Sequence, residues 1–254
     1  LGQFAEARFV HRDNVTPADR VENIEANALR PGPVLGFKKI CICASGPSLA
    51  DSIPDIYARQ AAGWHVAAMN GSYGFLLENG IAPDLMFILD ARPINLPFLM
   101  LIHPGTLHVV ATQCHPEVFD HLAHHGAQVL KWHIFHEDEG LEALKTHAPR
   151  QPYFVGNMNV GQTCLGAIWA MGYKVWDLFG YDGSCRFDAK HAFEQSQNDG
   201  EPIEEFLWPL EDDKPVEGLT KSYRATPTMA HAAREFPKLV TLYRKMGVEI
   251  IMHG

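Results

Sequence analysis

Short apolar runs alternate with amphipathic stretches along most of this chain. The spacing predicts strands over 39–43, 64–69, 85–89, 106–111, 127–132, 175–179 and 248–252. Between them, helical periodicity covers 48–61 with a break at Pro54, then 73–78, 117–124 and 160–171. A further helix over 228–246 carries Pro237 in its interior, where a kink is expected. Strand–helix alternation of this kind predicts an α/β fold: a doubly wound, mostly parallel, Rossmann-like sheet covered on both faces.

Two segments break the rhythm. Thr16 and Pro17 read as the start of a helix that Pro31-Gly32-Pro33 ends, so residues 1–33 form an N-terminal arm and 34–254 a single domain. Residues 183–222 are polar, rich in Gly, Pro, Asp and Glu, and without clear periodicity, which reads as a long lid-like insert.

Composition narrows the function classes. The chain has 254 residues and a net charge of −9, with no basic stripe, so nucleic acid is not an expected partner. The acidic runs Glu137-Asp138-Glu139 and Glu211-Asp212-Asp213 read as solvated loops. Five cysteines, Cys41, Cys43, Cys114, Cys164 and Cys185, have no framework spacing and argue against a secreted disulfide scaffold. There is no run of apolar residues long enough for a membrane span and no basic-then-apolar signal at the start. The expected location is therefore the cytoplasm. Leu1 in place of methionine suggests that a few residues have been trimmed or replaced.

In a doubly wound sheet, ligands sit outside the carboxyl ends of the strands. After the first strand come Ser45, Gly46, Pro47 and Ser48, where a small-residue loop opens a helix and free N–H groups can receive an anion. An ordinary capped helix start is the competing reading. The loop lacks the Gly-x-Gly-x-x-Gly and Walker patterns, so a nicotinamide dehydrogenase or P-loop kinase is not expected. Asn70 follows the second strand and could bond a base or ribose, or cap the next helix. Asp90 follows the third and could hold Mg²⁺, act as a base or pair with Arg92. Asn159, Val160 and Gly161 open the apolar helix, and Gly180, Tyr181 and Asp182 end the sixth strand. Among fourteen histidines, His133 and His136 make the best local pair, but no third metal ligand is evident, and both read as structural or surface histidines. His191 stands apart, inside the insert after Asp182.

These residues carry a family resemblance. Gly46-Pro47-Ser48-Leu49, Asn70, Ile81-Ala82-Pro83-Asp84 and Leu89-Asp90 resemble the motility-accessory-factor family of flagellin glycosylation proteins. Gly161 with its helix, Met171-Gly172-Tyr173-Lys174 and Leu178-Phe179-Gly180-Tyr181-Asp182 continue that pattern. The same order is similar to the family 42 bacterial sialyltransferases. A related branch, the archaeal hydroxymethylpterin pyrophosphokinases, carries a Thr-Asp-Leu-Asp-Gly run after the third strand and a His-Gly-Asp-Asn run later; this chain has Ile88-Leu89-Asp90-Ala91 and no such later run, which lowers that reading. The resemblance covers roughly residues 38–195.

The resemblance implies a nucleotide site of the CMP-sugar type. Gly46, Pro47 and Ser48 would approach the donor phosphate or ribose, Asn70 the nucleotide, and Asn159, Val160 and Gly161 its other side. The sequence departs from the sialyltransferases in two places. They carry a Tyr where this chain has His191, and their catalytic His has no counterpart in 220–226, since His231 falls inside the helix. His191 or Asp182 is left as the candidate base. The leading expectation is a glycosyltransferase using a CMP-activated nonulosonic sugar, with His191 and Asp182 catalytic and no metal ligand assigned. The alternatives are a diphosphotransferase with Mg²⁺ held by Asp90 and Asp182, and a non-catalytic nucleotide-binding module. The acceptor, glycan or protein, and the oligomeric state, a homo-oligomer included, stay open.

Overall fold

The computed structural model describes residues 39–195, 200–211 and 214–254. The arm expected over 1–33 lies outside them, as do Asp212 and Asp213 of the second acidic run.

The core strand β1 (Lys39–Cys43) is apolar and buried on both faces after Lys39, as a central parallel strand requires. A 3₁₀ turn (Pro47–Ser52) leads into α1 (Ile53–Ala61). Then follow β2 (His65–Met69), α2 (Ser72–Glu78) and β3 (Leu85–Ile88). A second 3₁₀ segment (Pro93–Leu99) precedes β4 (Leu107–Ala111), α3 (Pro116–His124) and β5 (Gln128–Phe135). Next come α4 (Asp138–His147), β6 (Tyr153–Val155), α5 (Val160–Ala170) and β7 (Val175–Phe179).

Eight strands form one parallel sheet in the order β12-β7-β1-β2-β3-β4-β5-β6, where β12 is Glu249–His253. The expected doubly wound, Rossmann-like architecture is therefore present. Chain order runs outward from β1 through β6 and then returns to β7 on the other side of β1. The crevice of such a sheet opens where the direction reverses, beyond Cys43 and its register partner Phe179.

Helix α5 is apolar nearly all round, with Cys164, Leu165, Ala167 and Ile168 buried. The 19-residue α6 (Pro227–Lys245) has Thr226 as N-cap and Pro237 in its interior. None of the described helices is long and apolar enough to cross a membrane.

Three sequence readings change. Glu137-Asp138-Glu139 is not a solvated loop: Glu137 stands at the N-cap of α4, and Asp138 and Glu139 fill its first turn, where the helix dipole favours acids. Strand β6 has only three residues at the sheet edge, too short to leave a period. Within the insert, the described residues fold as a nested antiparallel hairpin. Its outer pair is β8 (Glu204–Trp208) with β11 (Lys221–Ala225), its inner pair β9 (Leu210–Glu211) with β10 (Lys214–Pro215).

All five cysteines are thiols outside any disulfide, and burial pushes the Cys41 thiol up to about 12.

Candidate active site

A cavity of about 360 Å³ opens at the reversal point of the sheet. Ten of the residues singled out from sequence line it: Ser45, Gly46, Asn70, Asp90, Asn159, Val160, Gly161, Gly180, Tyr181 and His191. Pro47, Ser48 and Asp182 are not among the lining residues.

The loops after β1 and β7 interlock beneath the cavity. The Ala44 N–H donates to the Phe179 carbonyl at 2.9 Å, and the Gly46 N–H to the Gly180 carbonyl at 2.9 Å. Asp182 then takes the N–H of Ser48 at 2.8 Å. A Cβ on Gly46 would overlap the Asp182 carboxylate and come within 2.6 Å of the Gly180 oxygen. Gly46 is thus small because two loops of the protein meet there. The anion at this helix start is the protein's own, and neither Asp182 nor the Ser48 N–H is turned to the cavity.

Two other helix starts face the cavity. Asn159 caps α5 by accepting the Gln162 N–H at 2.9 Å, and Val160 and Gly161 form the first turn in the lining. Thr226 caps α6 through the Met229 N–H at 3.3 Å, and Thr226, Thr228 and Met229 also line the cavity. First-turn N–H groups carry the positive end of the helix dipole. Arg92 and Lys190 add cationic side chains to the same lining. Sequence reading missed the contribution of α6; the Thr226-Pro227 start was the available signal.

The acids of the cavity are engaged. Asp90 accepts the Arg92 Nε–H at 3.0 Å, its Nη2–H at 2.5 Å and its backbone N–H at 2.9 Å. Of the three roles open to Asp90, pairing with Arg92 is the contact it makes here. Glu201 accepts the Thr228 hydroxyl at 2.5 Å and its N–H at 3.3 Å.

Tyr181 stacks on Phe236 at 5.2 Å and donates its hydroxyl to the Gly161 carbonyl at 2.8 Å. Burial holds its hydroxyl well above the ordinary tyrosine value, so it stays protonated. Its phenol positions α5 against β7.

Two carboxamide oxygens in the lining, Asn70 Oδ1 and Gln162 Oε1, are buried without a hydrogen-bond partner. Asn70 also has a left-handed backbone, φ 49°, which non-glycine residues seldom adopt. Gln162 is 3% exposed, and its Nε2 is fixed on the Ala232 carbonyl at 2.6 Å. Both are acceptors that a ligand in the cavity can satisfy.

The start of the insert is strapped over the cavity. The Ala192 N–H donates to the Ser45 carbonyl at 3.0 Å. Phe193 stacks on Phe75 at 5.3 Å and packs where a Cβ on Gly71 would lie 2.6 Å from its ring. Lys190 Nζ donates to the Glu201 carbonyl at 2.6 Å. His191 is thereby carried to the cavity from the strap.

The histidine pair resolves into two roles. His133 is buried in β5 and shares a hydrogen bond with Thr112 Oγ1 at 3.1 Å. His136, just past β5, lines the cavity.

Comparisons with known proteins fit this architecture. No curated protein matches the chain. Among solved structures, the chain is similar to the MAf glycosyltransferase from Magnetospirillum magneticum AMB-1, with TM-score 0.63 and 18% identity over 98% of this chain. It spans 39% of that protein's length, and the likeness is one of fold. A mammalian sialyltransferase solved with Gal-beta-1-3GalNAc-ortho-nitrophenol aligns at TM-score 0.45 and 11% identity, over 98% of this chain and 83% of that one. The 6-hydroxymethylpterin diphosphokinase MptE-like family model matches residues 14–186, well over half of the chain, and the chain therefore belongs to that family.

Proposed function

We propose that this protein is a nucleotide-dependent transferase that moves a CMP-activated nonulosonic, sialic-acid-like sugar to an acceptor hydroxyl. One observation carries the reading: the starts of α5 and α6 face a single cavity at the sheet's reversal point, with Arg92 and Lys190 in its lining. Such a site neutralises a leaving phosphate. Prearranged donors in a water-poor cleft supply most of the stabilisation that this chemistry needs. Asn70 and Gln162 offer carbonyl acceptors for amino or hydroxyl groups of the nucleotide. Family membership and the fold of the MAf glycosyltransferase both support a transferase. The donor class rests on the resemblance together with the cavity.

Family membership also favours a second reading, diphosphate transfer from ATP with Mg²⁺. The residues do not fit the metal pair that it requires. Asp90 is held by Arg92, and Asp182 lies outside the lining on the Ser48 N–H. Among the described residues, no group of three or more His, Cys, Asp or Glu converges on one point.

Thermal shift with CMP, UMP and ATP, each with and without Mg²⁺, separates the readings, because a ligand that binds the native state raises its melting temperature. A metal-independent shift with CMP is expected. A shift confined to ATP with Mg²⁺ would move the assignment to diphosphate transfer.

A further inference from the structure

The cavity carries a second histidine whose position is built into the fold. His136 is the first residue after β5, and it reaches the lining from the β3–β5 side of the sheet. His191 reaches it from the strap, which is anchored on Ser45 at the end of β1 and on Phe75 in α2. The two imidazoles thus enter from different walls. Ser45, Gly46 and Asn70 belong to the wall of His191, and Asp90, Arg92 and Gln113 to the strand ends next to His136.

Gly156 makes room for the His136 ring. The Gly156 N–H donates to the Phe135 carbonyl at 2.8 Å, which pins the end of β6 beside the end of β5. A Cβ on Gly156 would overlap the His136 ring at Cε1, Nδ1 and Nε2. The ring therefore fills the volume that any other residue at 156 would take. His136 is exposed, so a molecule in the cavity can reach its ring.

We propose that His136 is the acceptor-side catalytic base of the transfer, its ring seated in the space that Gly156 leaves open. This rests on the transferase reading above. The acceptor O–H gives its proton to the His136 imidazole, and the acceptor oxygen bonds to the anomeric carbon of the sugar. The bond from that carbon to the CMP phosphate oxygen breaks, and its electron pair leaves on the phosphate. His191, on the nucleotide wall beside Lys190, is placed to meet the leaving group. The arrangement explains how the chain can lack a histidine before its last long helix and still hold a base.

The experiment uses the full chain with CMP-N-acetylneuraminate as probe donor and water as acceptor, reading CMP release. His136→Ala is expected to lower turnover about a hundredfold or more with CMP binding unchanged. Added imidazole should restore part of the loss, which a purely structural role would not allow. Gly156→Ala should give a similar loss with the ring chemistry intact, since the overlap is with a side chain that can swing aside. Independently of turnover, CMP-N-acetylneuraminate should slow carbethoxylation of His136 by diethyl pyrocarbonate. Turnover in His136→Ala within twofold of the wild type overturns the proposal. So does a wild-type chain that binds CMP, releases none and leaves His136 unprotected. Absence of any CMP shift counts against the nucleotide reading itself, whereas a CMP shift with either of those two outcomes counts against His136 alone.

Discussion

The carboxylate of Asp182 accepts the backbone N–H of Ser48 at 2.8 Å, across 134 residues of chain. It places the protein's own negative charge at the helix start where a sequence reader expects a ligand's phosphate. The bond ties the β7 loop to the β1 loop under the cavity, so Asp182 is a positioning residue. Asp182→Ala should lower unfolding free energy by about 1–2 kcal/mol, the usual loss for a helix-capping acceptor. Asp182→Asn keeps an acceptor oxygen and should recover much of that. Urea denaturation of the three proteins reads the difference. An alanine variant as stable as the wild type, yet inactive, would return Asp182 to the chemistry.

His191 faces the cavity from a strap that the rest of the fold holds down. His191→Ala should reduce CMP release from CMP-N-acetylneuraminate by about a hundredfold or more, the ordinary contribution of one proton-transfer group. Melting temperature and CMP affinity should change little. Unchanged turnover on a verified donor removes His191 from the mechanism.

Much of this was legible in the sequence, for reasons that differ by element. Strands β1, β3 and β4 are buried on both faces and read as unbroken apolar runs. Their order gave the fold class and located the strand ends, and with them ten lining residues. What was not legible is which way those residues turn. Gly46 and Ser48 have the composition of a phosphate loop, but only the fold brings Asp182 against them. The hairpin of the insert stayed hidden because β8 has two adjacent glutamates, Glu204 and Glu205, and no face that is fully buried. His136 looked like a structural or surface histidine because its meaning lies in Gly156, 20 positions later in the sequence but adjacent to it in space.

Acid should unfold this protein sooner than its carboxylates alone would suggest. His108 is fully buried in β4, and His133 is 2% exposed in β5. Burial lowers both imidazoles from 6.5 to about 4, with the charge of Lys131 adding to the effect at His133. The unfolded chain therefore binds protons at these sites that the native state refuses. Stability is fully present above the unfolded value and is lost as pH falls from about 6.5 toward 4. The loss should reach up to about 3 kcal/mol per histidine. Urea midpoints between pH 7.5 and pH 4.5 should fall steeply in the wild type and less steeply in His108→Gln or His133→Gln. A flat profile in the wild type would sink the argument.

The strap over the cavity depends on a missing methyl group. Phe193 lies against Gly71, where an added Cβ would sit 2.6 Å from the Phe193 ring and 3.1 Å from that of Phe98. Gly71 has an ordinary φ of −64°, so alanine meets no backbone strain there, and the collision is purely with the two rings. Gly71→Ala should therefore unseat Phe193 from Phe75 and loosen the bond from Ala192 to the Ser45 carbonyl. Returning the Phe193 ring to water costs about 1–3 kcal/mol, enough to open the segment locally without unfolding the sheet. Hydrogen exchange should rise over residues 186–195 and stay unchanged in β1, β3 and β4. CMP affinity should fall, since the cationic Lys190 travels with the strap. Faster exchange spread evenly through the sheet would mean that Gly71 supports the core and not the strap.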